Sequence, residues 1–210
     1  MIIPFKYYCK KCVTEKWINI NQEEQSFHYE CVCGTEGDVF LSQDYTIGVK
    51  ILYKSQYELE VNKDYSLSIV LSATAFECEL SRLYFKWTEI DRNERGEEIS
   101  NDKLEEMLWK VGAINTKIEN VAKLMNPEGI GDFVRKSIEF FEIISIGFPS
   151  LDINNLSKSF QKNLFWPRNR ILHLGYSNYN EDDAIRCLRI SSLGIELFNE
   201  MDEFRRSSKK

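Results

Sequence analysis

Four of the six cysteines fall within the first 33 residues, at Cys9, Cys12, Cys31 and Cys33, and this clustering constrains the start of the chain more than any other feature. A lobe of roughly forty residues buries too little apolar surface to hold a fold by itself, and needs cross-links or a metal. The first pair reads "YYCKKCV" and the second "YECVCG". Four thiolates brought together form a tetrahedral set that suits zinc. Four protein ligands leave no position for a reacting water, so such a metal is structural. Two disulfides or free thiols are the other readings. Disulfides fit poorly with a start, "MIIPFKYYCKKC", that lacks the charged and apolar regions of a secretion signal. The location expected on that ground is cytoplasmic, and no stretch is apolar for long enough to suggest a membrane span.

Between the cysteine pairs, "TEKWINI", a polar "NQEEQ" and "SFHYEC" read as strand, turn and strand, which draws the pairs together. On these residues, the segment 1–40 resembles a zinc ribbon. Ribbons usually carry CxxC at both ends. The CxC here departs from that pattern, and His28 is an alternative fourth ligand. Cys78 and Cys187 stand alone in helical-looking sequence and read as small core residues.

From about residue 41 to 210 the apolar spacing is helical, predicting an all-α bundle of five or six helices. "NKDYSLSIVLSATAFECELSRLYFKWTEI" repeats apolar residues at three- and four-residue steps through Val70, Ala73, Leu80, Tyr84 and Trp87. "YTIGVKILYKSQYELEV", "DKLEEMLWKVGAINTKIENVAKLM" and "GDFVRKSIEFFEIISIG" each read as one helix, and "DRNERGEEISN" reads as a loop. A last helix starts near Asn180, where Glu181, Asp182 and Asp183 suit the positive end of its dipole. "RRSSKK" reads as a frayed tail. The fold class expected is therefore mainly α, with a small N-terminal β module.

The formal net charge of −6 gives no long-range attraction to nucleic acid. One segment reverses that sign. From Ile153 to Asn180 there is no acidic residue, yet Lys158, Lys162, Arg168, Arg170 and His173 lie there. Phe165, Trp166, Tyr176 and Tyr179 flank them. Phe165 and Trp166 read as core, whereas Tyr176 and Tyr179 sit in a polar loop. Basic groups beside aromatics suit an unpaired RNA strand, with Lys158, Lys162, Arg170 and Tyr176 as contacts.

In "WPRNRILHLG", Pro167 suits a first helical turn and Gly175 a C-terminal cap. "RNRILHL" is then a short helix, or the kinked end of a longer one. Histidine moves protons near neutral pH and arginine grips phosphoryl oxygens at two points. At about 100° per residue, however, Arg168 and His173 stand about 140° apart around one helix. Either the first turn is distorted, or the pair acts across two chains.

Arg168, Asn169 and His173, placed before a final amphipathic helix, resemble the signature of the HEPN superfamily (higher eukaryotes and prokaryotes nucleotide-binding). "DYSLSIVLSATAFECELSRL" is similar to the family helix that carries a glutamate, here Glu77. The resemblance covers roughly residues 44 to 205. It implies a helical bundle, a homodimer with a composite cleft, and metal-independent cleavage of RNA by 2′-hydroxyl attack. Its implied site residues are Arg168, Asn169, His173 and Glu77, with zinc only structural. It further implies a toxin or antiviral defence effector, with a possible antitoxin or other defence-system partner protein. Tyr176, three residues after His173, is offset by one from the tyrosine that some toxin members carry. A catalytically silent adaptor and a small-nucleotide sensor are the competing functions. No hydrolase triad, phosphate-cradling glycine loop or catalytic metal motif is present in the sequence.

Overall fold

The computed structural model describes all residues except 1, 10, 22–25, 41–45, 98, 111, 209 and 210. Its mainly helical body follows a small β region, as the residue spacing predicts. Four strands, β1 (Ile2–Tyr8), β2 (Glu15–Asn21), β3 (Ser26–Glu30) and β4 (Glu36–Phe40), form two antiparallel hairpins, β1–β2 and β3–β4. The expected strands are there, but β2 and β3 pair outward with β1 and β4 rather than with each other. Each hairpin therefore carries one cysteine pair at its tip. The turn expected between β2 and β3 and the boundary expected at residues 40–41 both fall at residues outside those described.

The helices are α1 (Ile47–Tyr57), α2 (Tyr65–Asn93), α3 (Asn101–Lys110), α4 (Ile114–Met125), α5 (Ile130–Lys136), α6 (Ile138–Gly147), α7 (Leu156–Phe160), α8 (Trp166–Leu174) and α9 (Glu181–Ser208). Two expected single helices are each split. The first breaks into α3 and α4 at Gly112, whose φ of +81° is left-handed backbone. The second breaks into α5 and α6 at Ser137, whose backbone is extended and whose hydroxyl accepts from the Phe140 amide. The tail expected to fray stays helical through Ser208, because Arg205 and Arg206 pair with Asp91 and Asp202.

The long helices α2 and α9 form the centre. Phe76 of α2 packs its ring 5.1 Å from Phe160, 6.2 Å from Phe165 and 5.7 Å from Phe198. Gly194 in mid-α9 allows that approach, since a Cβ there would meet Phe76 at 2.9 Å. Small residues likewise let α1, α2 and α9 come close. The buried Ser55 hydroxyl donates to the Ser68 carbonyl (2.8 Å), and Ser191 donates to the Ser72 carbonyl (2.7 Å), so these polar groups are satisfied.

The β1–β2 hairpin rests on α1 through aromatic contacts. Phe5 lies 5.4 Å from Tyr53, and Trp17 lies 5.4 Å edge-on to Tyr57. Lys6 bridges Glu15 (2.7 Å) and Glu60 (2.8 Å), the latter in the π-helical turn Glu58–Asn62 that continues α1. Burial by itself would lower the Lys6 pKa, but those carboxylates outweigh it and hold the ammonium above its ordinary value. No helix among the described residues is long and apolar enough to cross a membrane.

Candidate functional site

Helix α8 is the end of a longer helical run, the second of the two forms the sequence allows. α7 passes through a π-helical turn, Gln161–Phe165, directly into α8. Pro167 explains the widening. It has no N–H to offer the Asn163 carbonyl one turn back. That carbonyl instead accepts the Cys187 thiol of α9 at 3.4 Å, and the Trp166 amide reaches back to Gln161. Cys187 is fully buried, as expected of a core thiol, whereas Cys78 is only half-buried.

At the other end, Gly175 takes a left-handed φ of +61° and caps the helix. The amide of Gly175 returns to Ile171 (3.1 Å) and that of Tyr176 to Arg170 (3.2 Å). This sharp return brings the Tyr176 ring under the Arg170 guanidinium, 4.1 Å from its centroid. Tyr179 packs edge-on to Tyr176 at 5.0 Å and donates to the Pro167 carbonyl at 3.4 Å.

α8 separates its charged groups onto two sides. Arg168 turns inward to Glu77 of α2 (3.6 Å) and also donates to Asn169 (3.1 Å). Glu77 meets Lys117 of α4 at 3.7 Å. These groups line a cavity of about 750 Å³ with an apolar floor that includes Phe85, Leu108 and Ile114. Three buried side-chain atoms lack a hydrogen-bond partner among the described residues. Two of them, the Arg168 Nε and a Glu79 oxygen, belong to residues lining this cavity.

Glu79 is the carboxylate the sequence reading missed. It is the fully buried acid of α2, paired with Arg82, whereas Glu77 is 34% exposed at its side chain and sits at the cavity rim. The signal was available: Glu79 follows Ser72 and Phe76 at helical steps on the buried side of α2.

His173 points outward and is exposed, as are Lys158, Lys162 and Arg170. Lys162, Arg170, Tyr176 and Tyr179 line a second cleft of about 380 Å³ together with Trp166 and Arg186, while Lys158 stands apart from it. Trp166, expected in the core, is 54% exposed; Phe165 beside it is buried, as expected. The helix passes its core-facing side from Phe165 directly to an open one.

The four sulfurs of Cys9, Cys12, Cys31 and Cys33 lie within 4.8 Å of one another. Cys9 and Cys33 are 3.7 Å apart, and Cys12 and Cys31 are 3.4 Å apart. A tetrahedron of thiolates at a metal–sulfur distance of about 2.3 Å has edges of about 3.8 Å, so the set is compatible with one structural metal ion. No two of the six cysteines are joined as a disulfide in this structure. His28 is not among these ligand groups. Its side chain is 60% exposed and its Nδ1 lies 3.0 Å from Asp38 across the β3–β4 hairpin. Residues 28 and 38 are direct cross-strand partners, so the imidazole projects from the hairpin face and not from the cysteine tip.

No family model, curated protein or solved structure matches this chain. The HEPN resemblance therefore rests on the residues themselves.

Proposed function

We propose that this chain is a metal-independent endoribonuclease of HEPN type. The observation that carries the reading is the placement of Arg168. The arginine of the Arg-Asn-x3-His sequence reaches Glu77, the acid that the resemblance assigns to α2, with His173 exposed on the same short helix. In the reaction, a neutral His173 imidazole takes the proton of a ribose 2′-hydroxyl. The 2′-oxygen attacks the adjacent phosphorus and the 5′-oxygen leaves, taking a proton from an imidazolium. The guanidinium of Arg168, with Asn169 beside it and Glu77 orienting it, stabilises the extra negative charge on the phosphoryl oxygens.

The split between Arg168 and His173 favours a site shared by two copies. Leu172 and Leu174, on either side of His173, are apolar and 52% and 75% exposed, which suits a surface covered by a second chain. Zinc is the metal that a four-thiolate set suits, and its role is to hold the two hairpins together. A toxin or defence effector, neutralised or triggered by a partner protein, is the setting in which such a nuclease acts.

The test is incubation of the purified protein with single-stranded RNA, in EDTA and again in magnesium-free buffer without chelator, since EDTA also reaches the hairpin metal. Cleavage that leaves 2′,3′-cyclic phosphate and 5′-hydroxyl ends is expected, falling about 100-fold or more in His173→Ala. Full activity in that variant removes the reading.

The Arg168–Glu77 ion pair also favours a second reading, a catalytically silent adaptor in which those charges only join α2 to α8. That protein cleaves no RNA, and Cys9→Ser or Cys31→Ser abolishes its binding to a partner.

A further inference from the structure

The two clefts beside α8 are not equivalent, and the outer one has the features of a seat for a single nucleotide. At about 100° per residue, Trp166, Arg170 and His173 fall within about 60° of one another around α8, while Arg168 lies on the far side. Arg170 and His173 are three residues apart, which makes them surface neighbours with Cβ atoms about 5–6 Å apart. Three cations, Lys162, Arg170 and Arg186, line the outer cleft against one carboxylate, Asp183. That carboxylate is already engaged by Arg186 (2.5 Å) and by the Asn180 amide (3.3 Å). Among the described residues, Lys162 and Arg170 have no acidic partner. Arg170 is nonetheless held, because its guanidinium carbon lies 4.1 Å from the Tyr176 ring centroid, and Tyr176 is tied by its own amide to the Arg170 carbonyl. A positioned guanidinium without a counter-charge is ready for a phosphate. The half-exposed indole of Trp166 offers a face for a base.

We propose that an unpaired nucleotide of an RNA strand sits in this outer cleft, with its base against Trp166 and its phosphate on Arg170 and Lys162. Arg170, not Arg168, is then the guanidinium that shares a phosphate with His173 of the same chain. The identity of the strand rests on the ribonuclease reading, while the location of the seat does not.

The test measures binding of a fluorescein-labelled deoxythymidine decamer, which has no 2′-hydroxyl and is not cut, alongside cleavage of the matching RNA. Arg170→Ala is expected to weaken binding about tenfold and to reduce the salt dependence of log K by about 0.7. Trp166→Ala weakens binding about tenfold or more through lost stacking. Arg170→Lys, which keeps the charge but loses the guanidinium contact with Tyr176, falls between Arg170→Ala and wild type. Lys123→Ala, an exposed charge on α4, binds as wild type. All these side chains are largely exposed, and helical circular dichroism verifies that each variant folds. The proposal is overturned if the wild type does not bind the decamer, or if Arg170→Ala and Trp166→Ala bind it as tightly as wild type. If the decamer binds through Arg170 but RNA is never cut, the ribonuclease reading fails and the seat remains. If RNA is cut equally well by wild type and Arg170→Ala, the seat fails and the ribonuclease reading remains.

Discussion

Arg168 and Glu77 meet at 3.6 Å across the gap between α8 and α2, each about one-third exposed, and Lys117 completes the group from α4. Ion pairs this accessible contribute little to stability, about 1 kcal/mol or less. Glu77→Gln loses little through Arg168 but leaves Lys117, whose side chain is only 12% exposed, without its counter-charge, so the midpoint of urea unfolding is expected to fall. If the carboxylate orients Arg168 for catalysis, the same variant lowers kcat for RNA cleavage about tenfold or more with little change in KM. An adaptor in which the pair is only a joint between helices shows neither effect on RNA.

The metal site gives a separate prediction. Cys9, Cys12, Cys31 and Cys33 are drawn from the tips of two hairpins that share no ladder with each other among the described residues. Aromatic contacts of Phe5 and Tyr7 with Phe27 and Tyr29 join the hairpins along their strands, so a metal held by the four thiolates would tie their tips, and its binding energy would add to the folding energy of that lobe. One zinc per chain is expected by elemental analysis of the purified protein. Cys31→Ser should lose it, while His28→Ala should keep it. Chelation should collapse the amide resonances of the hairpins and leave the helical circular dichroism signal largely intact, because α2 and α9 pack through their own core. Zinc retained in full by Cys31→Ser contradicts the four-sulfur assignment.

Acid sensitivity traces to Asp202 on α9. Burial by itself would raise its pKa, but Lys86 and Arg206 hydrogen-bond it and hold it below the usual carboxylate range, and the Trp87 indole adds a bond of 2.8 Å. A carboxyl depressed in the folded state stabilises the fold above its unfolded pKa, and that contribution is lost as pH falls through the folded value. Stability should therefore drop from about pH 4 downward, beginning near the unfolded carboxylate value. Asp202→Asn should cost about 3 kcal/mol at pH 7, because it leaves the Lys86 ammonium partly buried without its counter-charge. It should also flatten the acid limb of the urea-midpoint profile. An unchanged acid limb in that variant assigns the pH dependence to other groups.

Much of this architecture was legible in the sequence. Apolar steps through Ala73, Leu80, Tyr84 and Trp87 mark the buried side of α2. Asn180 caps α9 as expected, accepting from the Asp183 amide at 3.0 Å. The cysteine spacing led to the four-sulfur cluster. These features are local: helical period, cap chemistry and ligand type act over a few residues, so the chain states them directly. The breaks at Gly112 and Ser137 were weaker signals, because apolar periodicity continues through them and the turn is imposed by packing on either side.

The candidate site depended on long-range contacts that a linear reading does not contain. Helical steps place Glu77 and Glu79 about 200° apart around α2, but buried residues occupy more than one side of this helix, so the steps by themselves did not say which carboxylate is interior. That separation was decided by α1, α4 and α8 packing against α2. The exposure of Trp166 followed from the same packing, and the pairing of β2 with β1 was decided by the hairpin ladder. What the sequence determined by itself was the set of chemical groups and the helices that carry them. Which side of α8 each group faces, and therefore which guanidinium can work beside His173, was decided only when α2, α4 and α9 closed around that helix, because burial and charge pairing are properties of neighbours distant in the chain.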